Sequence, residues 1–140
     1  MGTSFQPVLD TEPNPSAKRV ILCSGKHYYT LHDHFTASST LSEVSLIRVE
    51  ELSPFPRSQL REVLAKYAKA EKVVWAQEEP ENQGAWAYVQ PRLDEILRDL
   101  EVGKGRALYA GRKTCGTVAT AVGAWHKKEV EKIARLPLEV

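Results

Sequence analysis

Cysteine is scarce in this chain: among 140 residues there are only Cys23, in an apolar run, and Cys115, in a polar stretch. Two thiols without CxxC spacing exclude a disulfide scaffold and a cysteine-built zinc site, and predict reduced thiols. Charge of one sign is lacking as well, with 19 basic residues against 18 acidic and a formal net charge of +1. That balance supplies no broad field to attract nucleic acid or an anionic membrane, so neither is expected as a partner. No stretch approaches the roughly 18 apolar residues of a membrane span. The opening segment has neither a secretory apolar core nor an Arg-rich amphipathic pattern, so no targeting signal is expected. Internal repeats and low-complexity tracts are absent.

The composition, 42% hydrophobic and 26% charged, fits one globular domain. Residues 1–17 carry Pro7, Pro13 and Pro15 among small and polar residues. They read as an extended linker whose docking surface lies elsewhere, followed by a domain over 18–140. From Arg19 short apolar runs alternate with amphipathic ones. The spacing predicts strands over 20–23, 44–49, 72–77 and 106–109, and helices over 27–38, 57–69, 85–100 and 124–134. Leu60, Val63, Leu64 and Tyr67 repeat at three and four residues, as do Val89, Leu93, Ile96, Leu97 and Leu100. Pro91 falls inside the latter pattern, where it kinks the helix or marks its true beginning. This β-α alternation predicts an α/β fold: three layers, α/β/α, around a mostly parallel sheet.

The most informative stretch is WAQEEPENQGAW, residues 75–86. An apolar strand runs there into paired carboxylates and an amide-rich turn before a Trp-led helix, and Pro80 is expected to end the ladder. Strand ends of this kind are where open α/β sheets bind ligands. Arg48, Glu50 and Glu51 flank one strand end and Gln77, Glu78 and Glu79 another. In a parallel sheet these ends point the same way, so Arg48 could face three or four carboxylates. An ion-pair network fixing loops or a subunit contact is favoured over paired-carboxylate catalysis, which needs opposed pKa values in a deep cleft.

Ser24-Gly25-Lys26 lies between a strand and a helix, making Gly25 and Lys26 a weak anion-site candidate without the Walker spacing. His27, His32, His34 and His126 lack metal-ligand spacing and are expected to face solvent. Cys115 has no assignable base to make it a nucleophile. Trp75, Trp86 and Trp125 are read as core or interface aromatics. No catalytic, cofactor-binding or metal-ligating residue is assigned.

The same twelve residues resemble the C-terminal domain of the 2-oxoglutarate dehydrogenase family, the thiamine-diphosphate-dependent first component of the 2-oxoacid dehydrogenase complexes, including its 2-oxoadipate relatives. In family order follow VILCSGKHYY at 20–29, IRVEELSPFP at 47–56, LYAGR at 108–112, and VATA with His126 five residues after Ala121. The opening GTSFQPVL, 2–9, is similar to the segment that links the preceding domain to this one.

The resemblance implies a transketolase C-terminal-type domain with an architectural role. It would pack on the remaining domains of the dehydrogenase and on the homodimer mate, and meet the dihydrolipoyl succinyltransferase complex only indirectly. The parent reaction it implies is oxidative decarboxylation of 2-oxoglutarate in the tricarboxylic acid cycle, on thiamine diphosphate and magnesium held by other domains. That places the chain in the mitochondrial matrix of a eukaryote or the cytoplasm of a bacterium. Arg48, Glu50, Gln77, Glu78, Glu79, Asn82, Gly84 and Arg112 are carried over as interface and loop-fixing positions. Departures from the pattern are KTCGT at 113–117, Ala121 in place of glycine, and Phe35 in place of arginine, which puts an apolar ring on a face expected to be polar. The alternative is an independent regulatory module that holds a nucleotide at Gly25 and Lys26.

Overall fold

A computed structural model of the chain describes residues 4–116 and 123–140, with side chains in the last helix from Glu129 onward. Trp125 and His126 therefore lie outside the described side chains, and Ala121 outside the described residues. Five strands form one sheet in the order β1-β3-β2-β4-β5, where β1 is Val8–Leu9, β2 Arg19–Cys23, β3 Val44–Val49, β4 Lys72–Pro80 and β5 Ala107–Arg112. All pairings are parallel except β1 with β3. The helices are α1 His27–Ala37, α2 Arg57–Leu64, α3 Trp86–Leu100 and α4 Gly123–Glu139.

Alternation along each strand divides the core in two. Val20, Leu22, Ile47, Val49, Val73 and Trp75 meet Leu60, Leu64, Tyr67, Val89, Leu93 and Leu97 from α2, its trailing 3-10 turn and α3. Ile21, Cys23, Leu46, Val74 and Ala76 meet Leu31, Phe35 and Ala134 from α1 and α4. Both faces are covered, so interior strands need to be apolar on both sides, and residues 20–23 are fully buried. Phe35 is a correction to the expected polar face: it sits four residues after Leu31 on the stripe that faces the sheet, and is fully buried.

The N-terminal segment also departs from expectation. Val8 and Leu9 pair with Val49 and Arg48, and Glu50 N–H donates to the Pro7 carbonyl at 2.8 Å. Just beyond, Asp10 accepts a hydrogen bond from the Tyr67 hydroxyl at 2.7 Å, and that hydroxyl in turn accepts from Ser45 at 2.7 Å. An extended, proline-marked segment has unpaired amides to satisfy, and the open edge of β3 supplies partners. Over Pro7 to Asp10 the segment is thus held on the edge of its own domain.

Pro91 lies inside α3, whose carbonyl-to-amide pattern loses one bond there without breaking the helix. After α3, Glu101 takes φ +56 and Gly103 φ +59, which turns the chain into β5. The buried Asp94 carboxylate ties this turn to the helix by accepting the Ala107 N–H at 2.6 Å. Among the described residues no helix is long and apolar enough to cross a membrane.

Candidate functional site

From β2 the chain passes through α1 to β3 on one side, and from β3 it returns past β2 through α2 to β4 on the other. The loops leaving β2 and β4 thus diverge to opposite faces of the sheet, which opens a crevice at their carboxyl ends. A cavity of about 590 Å³ occupies this position. It is lined by Ser24 to His27 after β2, Trp75 to Glu79 on β4, and Gly84, Ala85 and Tyr88 at the head of α3, with Leu52 and Ser53 from the loop after β3.

Gln77 organises the β4 side. Its buried side chain accepts from the Trp75 indole N–H and the Trp86 backbone N–H, each at 3.0 Å. Its amide donates to the Gln83 carbonyl at 2.8 Å and the Pro80 carbonyl at 3.1 Å, with Glu79 O a weaker third acceptor at 3.3 Å. Trp86 begins α3, whose own N-cap, Ala85, has no capping side chain. Gln77 therefore caps the helix from the neighbouring strand and closes the 78–85 loop onto itself. The close approach requires Gly84, which has φ +66 and would place any Cβ 2.9 Å from Glu79 Cβ and 3.0 Å from Gln77 Nε2.

Pro80 is the last residue of β4 and still paired, a correction to the predicted strand over 72–77. The ladder with β5 runs through Ala76–Ala110, breaks, and resumes at Pro80–Arg112, after which Glu81 N–H donates to Arg112 O at 3.0 Å. A missing donor is tolerated beside such an irregularity. Side chains fill the gap: Arg112 Nε donates to the Glu78 carbonyl at 2.7 Å, and the Tyr109 hydroxyl lies 2.8 Å from the carbonyls of both Glu79 and Arg112. Asn82 pairs reciprocally with Cys115 through backbone N–H and C=O, both at 3.1 Å.

Arg48 does not reach these carboxylates. β2 stands between β3 and β4, so among the described residues Arg48 pairs only along its own strand end, with Glu50 at 2.9 Å, and its guanidinium stacks 4.7 Å from the Tyr28 ring centroid and 5.4 Å from that of Tyr29. Carboxylates expected to share one arginine form two separate groups. Gly25, Lys26, Gln77, Glu78, Glu79 and Gly84 line the cavity, whereas Arg48, Glu50, Asn82 and Arg112 are not part of its lining and Arg112 lines a second cavity. Burial pushes the Cys23 thiol up to about 12, with Glu50 adding to the effect, so it stays protonated at neutral pH. Cys115 is exposed.

His27 is the residue the sequence reading misplaced. It is 4% exposed, and neither ring nitrogen has a hydrogen-bond partner among the described residues. Burial lowers its pKa to about 4, against the opposing pull of Glu79. The available signal was its spacing: His27, Leu31 and Phe35 recur every four residues on the inward stripe of α1. His32 and His34 are partly exposed. Among the described residues no cluster of three His, Cys, Asp or Glu side chains could hold a metal.

The chain matches the family described as 2-oxoglutarate dehydrogenase C-terminal over residues 1–137. It is 39% identical over 135 residues to the 2-oxoadipate dehydrogenase complex component E1 of Danio rerio, covering 94% of this chain and 14% of that protein. To the 2-oxoglutarate dehydrogenase E1 component of Shouchella clausii it is 43% identical over 136 residues, covering 92% and 14%. The corresponding protein of Geobacillus gives 37% over 138 residues, 96% and 14%. The chain thus spans about 14% of the length of these curated relatives.

Proposed function

We propose, starting from the fact that this chain belongs to the 2-oxoglutarate dehydrogenase C-terminal family, that it is an architectural layer of a 2-oxoacid dehydrogenase first component, closing that enzyme's dimer while other domains do the chemistry. The parent reaction would be oxidative decarboxylation of 2-oxoglutarate, or its 2-oxoadipate counterpart, on thiamine diphosphate and magnesium, with succinyl transfer to a lipoyl arm. The dihydrolipoyl succinyltransferase would be met through the assembled enzyme. The compartment would be the mitochondrial matrix or the bacterial cytoplasm.

One observation carries this reading: the motif side chains Gln77, Asn82 and Arg112 spend these hydrogen bonds inside the domain, nearly all on its backbone. Gln77 holds Trp75, Trp86 and the 80–83 turn, Asn82 holds Cys115, and Arg112 holds Glu78. Groups used in this way set the shape of a rim; a reacting group would need a free lone pair or proton at the substrate. Arg48 and Glu50, with exposed Tyr29 beside them, would form part of the surface that neighbouring domains cover.

Calorimetric titration of the chain with thiamine diphosphate and magnesium tests this. The expected result is no stoichiometric binding by this chain alone. Stoichiometric binding would overturn the architectural reading. As a positive arm, the chain is co-expressed with the Danio rerio relative cut where the match to this chain begins. It should restore a dimeric assembly, and failure to associate would count equally against the reading.

A further inference from the structure

We propose that the crevice between β2 and β4 binds a small zwitterion, its anionic group seated at the head of α1 against Lys26 and His27 and its ammonium facing Glu78 and Glu79. This reaches beyond the docking role and does not depend on it. The position is the one an α/β sheet offers for a ligand, where the connections from two adjacent parallel strands part to opposite faces. At about 590 Å³ the cavity lies in the range of small-molecule sites.

The two helices that meet there differ. The head of α3 is closed by Gln77, which takes up the Trp86 N–H. The head of α1 has Lys26 as N-cap with no capping side chain, and the amides of Lys26 and His27 make no backbone bond among the described residues. Gly25 takes φ +62 immediately before the right-handed Lys26, an arrangement that turns successive N–H groups toward one concavity. This 11-residue helix also directs the positive end of its dipole there.

The independent observation is His27. A histidine 4% exposed, with both ring nitrogens unpartnered, leaves an unmet donor and an unmet acceptor in the wall of the cavity. Buried polar groups are rarely left so; the ring N–H is a donor that the solute's anionic group would meet once the ring turns toward the crevice.

The charges decide the kind of solute. Lys26, Glu78 and Glu79 line one cavity, yet none of them forms an ion pair with another described residue. A polyphosphate would meet two carboxylates, and a simple cation would meet the lysine and the helix dipole. A solute with a phosphate or carboxylate a few bonds from a primary ammonium meets an opposite charge at each end. Leu52, Trp75 and Tyr88 supply the apolar walls between them.

The test is NMR of the 140-residue chain, following the His27 ring and the Lys26 and His27 amides during titration with O-phosphoethanolamine and, separately, β-alanine. Inorganic phosphate, acetate and ethanolamine serve as half-ligands. At least one zwitterion should shift all three signals, with a Kd roughly tenfold or more below those of its two halves. The phosphate and carboxylate arms identify which anion the α1 head prefers. Equal binding by a half-ligand, or no shift up to on the order of 10 mM of either zwitterion, would overturn the proposal. Lys26→Met and Glu79→Gln alter exposed positions and should each weaken binding about tenfold, roughly the loss of one charge-assisted contact. Unchanged affinity in both would overturn it too. Thiamine diphosphate titration reads the architectural role separately, so either idea can fail alone.

Discussion

Gln77 shows how one side chain can set a site without touching a substrate. Its buried amide serves two donors and two well-placed acceptors, so Gln77→Met leaves the Trp75 and Trp86 N–H groups without their partner. The expected loss is about 2–4 kcal/mol, read as a lower urea midpoint with an unchanged slope. Gln77→Glu keeps the acceptor but not the donor and should fall in between. His27 gives a pH signature. Its folded pKa of about 4 lies below the ordinary histidine value near 6.5, so the unfolded chain binds the extra proton first. Stability is therefore full above about pH 6.5 and is lost as pH falls toward about 4, by on the order of 3 kcal/mol at most. His27→Leu should remove that slice of the pH dependence in thermal unfolding followed from pH 7 to 4; an unchanged profile would contradict the buried neutral ring.

Elements here are held by apolar stripes, with ion pairs as decoration. α2 and α3 carry the exposed pairs Arg57–Glu95 at 2.6 Å and Arg61–Asp99 at 2.7 Å, while Leu60, Leu93 and Leu97 are buried between them and the sheet. Leu93→Ala should cost about 2–5 kcal/mol and Arg61→Ala less than about 1 kcal/mol, measured by chemical denaturation. β1 is the opposite kind of element, two residues long and dependent on its neighbours. Tyr67→Phe removes the hydroxyl that joins Ser45 to Asp10, and should speed hydrogen exchange at Leu9 while costing about 1–2 kcal/mol.

At the scale of the whole molecule, both cores share the same strands, so one cooperative transition is expected, with β2 exchanging its amides slowest. Every residue from Val20 to Cys23 is fully buried, and β2 is flanked by β3 and β4. A β4 or α3 more protected than β2 would contradict this. The layered fold was legible in the sequence because burial on both faces leaves apolar runs in strands such as Val20–Cys23 and stripes such as Leu93, Ile96 and Leu97 in helices. The strand-end crevice was legible through residues 75–86. Less could be read where tertiary contact overrode local signals. Pro80 stays in the sheet because Arg112 and Tyr109 supply hydrogen bonds to the carbonyls around the break, and the pairing of Val8 and Leu9 depends on an edge some forty residues away. Of the carboxylates expected around Arg48 it meets Glu50 but not Glu78 or Glu79, because spatial strand order does not follow chain order. His27 was misjudged because its bulk fits an inward stripe while its chemistry suggests water.

The antiparallel entry of β1 has a geometric consequence. Pro7 lies level with Glu50 at the upper rim, while Asp10 lies lower, beside Tyr67. Any polypeptide joined ahead of Ser4 would be leashed to that rim, with a reach of no more than ~3.6 Å for each connecting residue. A neighbour so tethered would approach from the edge of the sheet that carries the carboxyl ends of β2, β3 and β4.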